Sequence, residues 1–285
     1  MIKRPTQHVF QKAGLGVLLF VLLSLGLGLI PTRHPDDYVA EKAAVEMDEA
    51  LKSQIQEVKE GLEGDAQAEA NALELSLKEA EGLVERMQAY KELLGFWSLR
   101  NPAIGALFAK ERALDTDSLP HFVEAGQRFI SVIAVMDEQD QAWAAEEAMG
   151  MFDAALAMDS RNAEARRGKA SALVQGGQQP MQGIQLLREL LDENPEDVET
   201  VLELAHFSVL SSQFSKAQER YRQALMLDST RTEAYFHLGE TWIKLGKKDS
   251  AQVYYQRYRE TLPEGEARAR FDVYLADVLS IAEKH

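Results

Sequence analysis

The stretch from Ala217 to Pro263 holds one residue pattern twice, at a spacing of 34 residues. Ala217, Tyr221, Ala224 and Ser229 recur as Ala251, Tyr255, Tyr258 and Pro263. Upstream, Val201, Leu204, Ala205 and Ser208 recur as Tyr235, Leu238, Gly239 and Trp242. A period of this length predicts a helix–turn–helix unit that stacks on copies of itself. One such unit cannot bury its apolar faces alone, so the next unit must cover them. Small residues (Gly183, Ala217, Ala251) belong where helices cross closely, and large ones (Phe152, Leu187, Tyr221, Tyr255) fill the space between units. Pro195 and Pro263 end helices, because proline lacks the N–H and disfavours helix in the residue before it.

The pattern continues upstream. Gly183, Leu187, Leu190 and Pro195 take the same four positions one period earlier, and Ala148, Phe152, Ala155 and Ser160 follow after one inserted residue, with Val132, Val135 and Met136 on the helix before them. Through Tyr235, Leu238, Gly239, Trp242, Gly246, Ala251, Tyr255 and Pro263, the chain resembles the tetratricopeptide-repeat family. Units are expected at about 129–163, 164–197, 198–231 and 232–265. The third and fourth match best; in the second, Arg167, Ala170 and Val174 fit the first helix poorly. An all-α solenoid over 119–265 follows, closed by a capping helix over 266–285. There Ala267, Phe271, Tyr274, Leu275, Val278 and Leu279 share one face, with the charged residues largely elsewhere.

The resemblance implies a binding face. In this family the second, fifth, ninth and twelfth positions of each unit line a concave groove. Carried onto the two best units, they are Glu199, Leu202, His206 and Val209, then Glu233, Phe236, Glu240 and Ile243. Leu202, Val209, Phe236 and Ile243 are apolar beyond the stacking pattern, and a helix with a second apolar face has something further to bury. A hydrophobic groove rimmed by carboxylates suits an amphipathic or extended peptide. Cover by the spacer or the capping helix is the competing reading.

The N-terminal part predicts a membrane address. Residues 14–30 carry no charge, and Ser24 is their one polar residue. At 1.5 Å per residue the run reaches roughly 26 Å, enough for a short span. Lys3, Arg4 and Lys12 precede it, which places residues 1–12 in the cytoplasm and the bulk of the chain across the membrane. The run is longer than the apolar part of a signal peptide and is followed by Pro31, so an uncleaved anchor over 13–30 is favoured over a cleaved one. In a bacterium the bulk is then periplasmic; a eukaryotic signal anchor with a lumenal domain is the other setting. With no cysteine there is neither a lipid attachment site nor a disulfide framework.

Residues 31–37 read as a linker, and 38–94 as a helical or coiled-coil spacer. Two apolar registers, Leu51–Ile55–Val58–Leu62 and Leu73–Leu77–Ala80–Val84–Met87, break at Gly61 and Gly64. A hairpin and an outward-running coiled coil that pairs chains fit equally. Residues 95–118 read as a second linker with a short helix, with Asp117 or Ser118 capping a helix from Leu119.

No catalytic constellation is present: the sequence has no phosphate-binding glycine loop and no HExxH. His206 and His237 lie on equivalent helices with Glu240 one turn on, a pattern that fits half-buried imidazoles better than a metal site. The net charge of −15 without a basic stripe argues against nucleic acid and mildly favours a basic partner. The architecture is similar to that of membrane-anchored periplasmic repeat proteins, such as accessory factors of cytochrome c maturation and translocon-associated chaperones. That resemblance implies a non-enzymatic, cofactor-free module binding a protein or peptide outside the cytoplasm. The alternative is a scaffold or stalk subunit of an envelope complex that oligomerises through 38–94.

Overall fold

A computed structural model describes residues 49–177 and 179–281. The apolar run and the anchor assigned to 13–30 lie outside the described residues. Among the described residues no helix is long and apolar enough to cross a membrane. The described chain is helical, without strands. The described residues divide into two compact units, one up to Asp140 and one from Gln141.

In the first unit the helices are α1 (Glu49–Glu60), α2 (Gly64–Glu79), α3 (Leu83–Arg100), α4 (Pro102–Thr116) and α5 (Leu119–Ile133). The chain turns at Gly61–Glu63 and again at Ala80–Gly82, so the described part of 38–94 is not one long helix. Gly95 does not break the chain; it lies inside α3, which runs on to Arg100 because Leu93, Leu94, Phe96 and Trp97 around it are all buried. The stretch 95–118 is almost entirely helical. Asn101 accepts from the Ile104 N–H and Pro102 starts α4, an N-cap followed by a residue that needs no N–H partner. Ser118 stands at the N-cap of α5 but makes no side-chain cap, and Asp117 instead ends α4 in the left-handed conformation, φ 45°. The buried guanidinium of Arg112 and that of Arg128 both donate to Glu124.

The second unit holds α6 (Glu138–Met158, which begins at the boundary), α7 (Ala163–Gln175), α8 (Pro180–Glu193), α9 (Val198–Leu210), α10 (Phe214–Leu227), α11 (Thr232–Lys244), α12 (Lys248–Thr261) and α13 (Glu266–Ile281). Helix pairs α7–α8, α9–α10 and α11–α12 repeat one geometry. Asn162 and Asp197 cap α7 and α9 by accepting from the third N–H of each helix. The turn inside each pair passes through a left-handed residue: Gly177 at φ 72°, Ser212 at 58° and Gly246 at 69°. Helices α8 and α12 stop just before Pro195 and Pro263.

The buried positions repeat as well. The third residues of α7, α9 and α11 (Ala165, Thr200, Ala234) are buried, and so are the eighth (Ala170, Ala205, Gly239) and the tenth (Ala172, Phe207, Thr241). This register explains the poor fit of α7 to a strict 34-residue count. The turn from Gly176 to Gln179 is one residue longer than its counterparts Ser211–Gln213 and Leu245–Lys247, so α7 is shifted by one.

Among the described residues of this unit, core clusters each join one pair to the helix after it. Ala170, Leu187 and Leu190 meet Leu204 and Phe207 of α9; Ala205, Ala217 and Tyr221 meet Ala234 and Leu238 of α11; Ala251 and Tyr255 meet Phe271 of α13. Contact at the eighth position is tight: a Cβ on Gly239 would lie 2.5 Å from the Tyr255 ring. Gly239→Ala is therefore expected to lower stability by about 1–3 kcal/mol through overpacking. Gly95→Ala, on an exposed helical position with nothing within 4 Å of the new methyl, is expected to raise it by about 0.5–1 kcal/mol. Urea titrations of the two variants check both signs.

Candidate functional site

The first helices α7, α9 and α11 stand side by side, and their second, fifth, ninth and twelfth residues define one face. The corrected register adds Glu164, Arg167, Ser171 and Val174 of α7, which a strict 34-residue count misplaces. Ion pairs stitch the face across units. Arg167 donates to Asp197 at 2.8 Å. Arg231, at the N-cap of α11, donates to Glu199 of α9 and, at 2.7 Å, to Glu233. Ser171 donates to Glu203, which places that carboxylate in the seam between α7 and α9.

The four residues expected on α9 stay accessible in different degrees. Glu199 and His206 are exposed, whereas Leu202 and Val209 are half-buried against the cluster around Tyr221. His206 is open to solvent over much of its surface yet packs against the Phe207 ring, centroids 5.8 Å apart. Desolvation holds its pKa below the ordinary 6.5, and the nearby His237 acts in the same direction while Glu203 opposes. His237 itself stacks on Tyr221 at 5.4 Å. Its Nδ1 lies 3.3 Å from Glu240. Among the described residues no three histidine, aspartate or glutamate side chains converge to hold a metal ion.

The four residues on α11 have a different fate. Phe236 lies in an aromatic cluster, with ring centroids 5.3 Å from Tyr258, 5.5 Å from Tyr274 and 6.3 Å from Phe271. Ile243 packs into the same cluster with Tyr274, Leu275 and Val278 of α13. Tyr274 donates to Glu240 at 3.3 Å, and Arg259 on α12 holds Asp272 at 2.9 Å. The surplus apolar side chains of α11 are thus covered within the molecule by the C-terminal helix. Glu233 remains half-exposed beside Arg231. The sequence carried half of this: Phe271, Tyr274 and Val278 form an apolar face of α13 that needed a counterpart, but nothing local named Phe236 and Ile243 as that counterpart.

No protein-family profile and no curated protein sequence matches the chain. Solved structures do. TTC0263, a thermophilic tetratricopeptide-repeat protein of Thermus thermophilus, matches with a TM-score of 0.50 and 17% identity, over 73% of this chain and 97% of that one. The fold is a tetratricopeptide-repeat solenoid. MamA matches with a TM-score of 0.43 and 15% identity, over 61% of this chain and 92% of its own. YrrB, described as a repeat protein with an unusual peptide-binding site, matches with a TM-score of 0.39 and 16% identity, over 76% and 100%.

Two expectations follow from the geometry. Phe236→Ala removes the ring at the centre of the α11–α13 contact and is expected to cost about 3 kcal/mol. Tryptic cleavage at Arg268 and Arg270 of α13 should rise with it; unchanged cleavage would mean that α13 is held elsewhere. For His206 the folded-state pKa is depressed, so the unfolded chain takes up the proton first as the pH falls. Its contribution to stability is intact above pH 6.5 and is lost as the pH drops through the folded value. His121 in the first unit is shifted in the same direction. Thermal melts between about pH 8 and pH 5.5 should show a decline that His206→Gln makes shallower.

Proposed function

We propose that this chain is a non-catalytic module that binds a protein or peptide along the concave face of α7 and α9. One observation carries the reading: Glu199 and His206 remain exposed, with half-buried Leu202 and Val209 between and beside them, while α13 closes only the α11 end. A row of apolar and polar side chains at helical spacing on paired rigid helices is a surface on which an extended or helical segment can lie. The fold supports the reading, because a stack of helix pairs creates such a face by its own curvature. Selection of displayed peptides on the full chain is expected to return binders whose affinity falls about tenfold in a Glu199→Ala/His206→Ala variant with unchanged helical content. Binders indifferent to that variant would place recognition elsewhere.

The module is further proposed to be tethered through the uncharged run at 13–30, with residues 1–12 cytoplasmic and the repeats on the opposite side. Among such repeat proteins we favour a chaperone-like holder of an unfolded segment, since half-buried Leu202 and Val209 beside exposed Glu199 and His206 give such a segment both apolar and polar contacts. The full chain should stay in the membrane pellet after alkaline carbonate washing and be digested by protease added from the extracytoplasmic side. Release into the supernatant would refute the anchor.

A further inference from the structure

We infer that the occupant of this face is a basic segment, with lysine or arginine side chains set between apolar ones. The inference rests on the peptide-binding reading above and names its partner's chemistry. The open face of α9 offers Leu202 and Val209, which lean toward α11, with Leu210 exposed at its end. Around these side chains stand carboxylates: Glu199 and Glu233 are each about half exposed, and Glu203 lies in the seam. The cations beside them are already committed. Arg167 is bonded to Asp197, and one guanidinium, that of Arg231, serves both Glu199 and Glu233. That trio keeps a net negative charge. An acidic partner would have to break these pairs, whereas a basic one meets carboxylate oxygens with lone pairs to spare.

The imidazole between them does not offset this charge at neutral pH, because desolvation lowers the His206 pKa. The chain as a whole carries a net charge of −15, so a cationic segment is also drawn in before contact. The stems of lysine and arginine are themselves apolar. They can lie on Leu202 and Leu210 while their heads reach the glutamates.

The test is fluorescence anisotropy on the full chain with three labelled peptides of about twelve residues, in which leucine alternates with lysine, glutamine or glutamate. The lysine peptide should bind at least about tenfold tighter than the glutamine one and weaken steeply with added salt, and the glutamate peptide should not bind. Glu199→Gln/Glu203→Gln should weaken the lysine peptide about tenfold. Glu189→Gln/Glu219→Gln changes the net charge equally on exposed positions of α8 and α10, and should leave affinity within about twofold. Equal binding of the lysine and glutamine peptides, both lost in Glu199→Ala/His206→Ala, would overturn the basic partner and keep the groove. Equal weakening by the two glutamine double variants would reduce the effect to general attraction and overturn the site. Failure of all three peptides would overturn the groove with it.

Discussion

The three helix pairs α7–α8, α9–α10 and α11–α12 depend on one combination: a small residue at the eighth position of the first helix shares a core with a large one at the eighth position of the second. The pairs are Ala170 with Leu187, Ala205 with Tyr221, and Gly239 with Tyr255. Where the ring is Tyr255, not even a methyl group fits opposite it. This contact sets the distance between the two helices of a pair. That distance in turn decides which residues are left to meet the following pair. Each core cluster therefore spans three helices, and no pair completes its core alone. The stack must end on something, and α13 supplies the missing third helix with Phe271.

The same requirement limits the face proposed for binding. A terminal helix that completes the last core must lie against α11, and it takes Phe236, Glu240 and Ile243 with it. In this chain capping holds these side chains, which leaves them unavailable to a ligand. The accessible face is thereby confined to α7, α9 and the N-terminal end of α11. There the polar pairs of Arg167, Arg231 and Ser171 fix the helices against one another. Rigid neighbours leave a bound segment little to order but itself, which lowers the cost of binding.

The repeat was legible because the tight contact restricts residue type at fixed intervals. Gly or Ala on a second helix (Gly183, Ala217, Ala251), followed four residues on by a large side chain (Leu187, Tyr221, Tyr255), is a restrictive combination, and it recurs. The helical ends at Pro195 and Pro263 were legible for a similar reason, since proline acts through its own backbone. Less was visible where the constraint was looser. The extra residue between Gly176 and Gln179 lies in a turn, where length varies freely, and it hid the register of α7 and with it Arg167, Ser171 and Val174. Gly95 looked like a break, but a helix tolerates an exposed glycine when its neighbours Leu94, Phe96 and Trp97 are buried.

By itself, then, the sequence determined the unit: two helices per 34 residues, their small and large contact positions, and the need for a cap. These follow from local periodicity and from steric limits within one pair. The tertiary structure alone decided which apolar residues were surplus. Leu202 and Phe236 hold equivalent positions and both read as groove, yet one borders the open face and the other lies under α13. The difference is not in either residue. It comes from what the chain places against it, and a helix arriving some 35 residues later settles that through burial and not through any local rule.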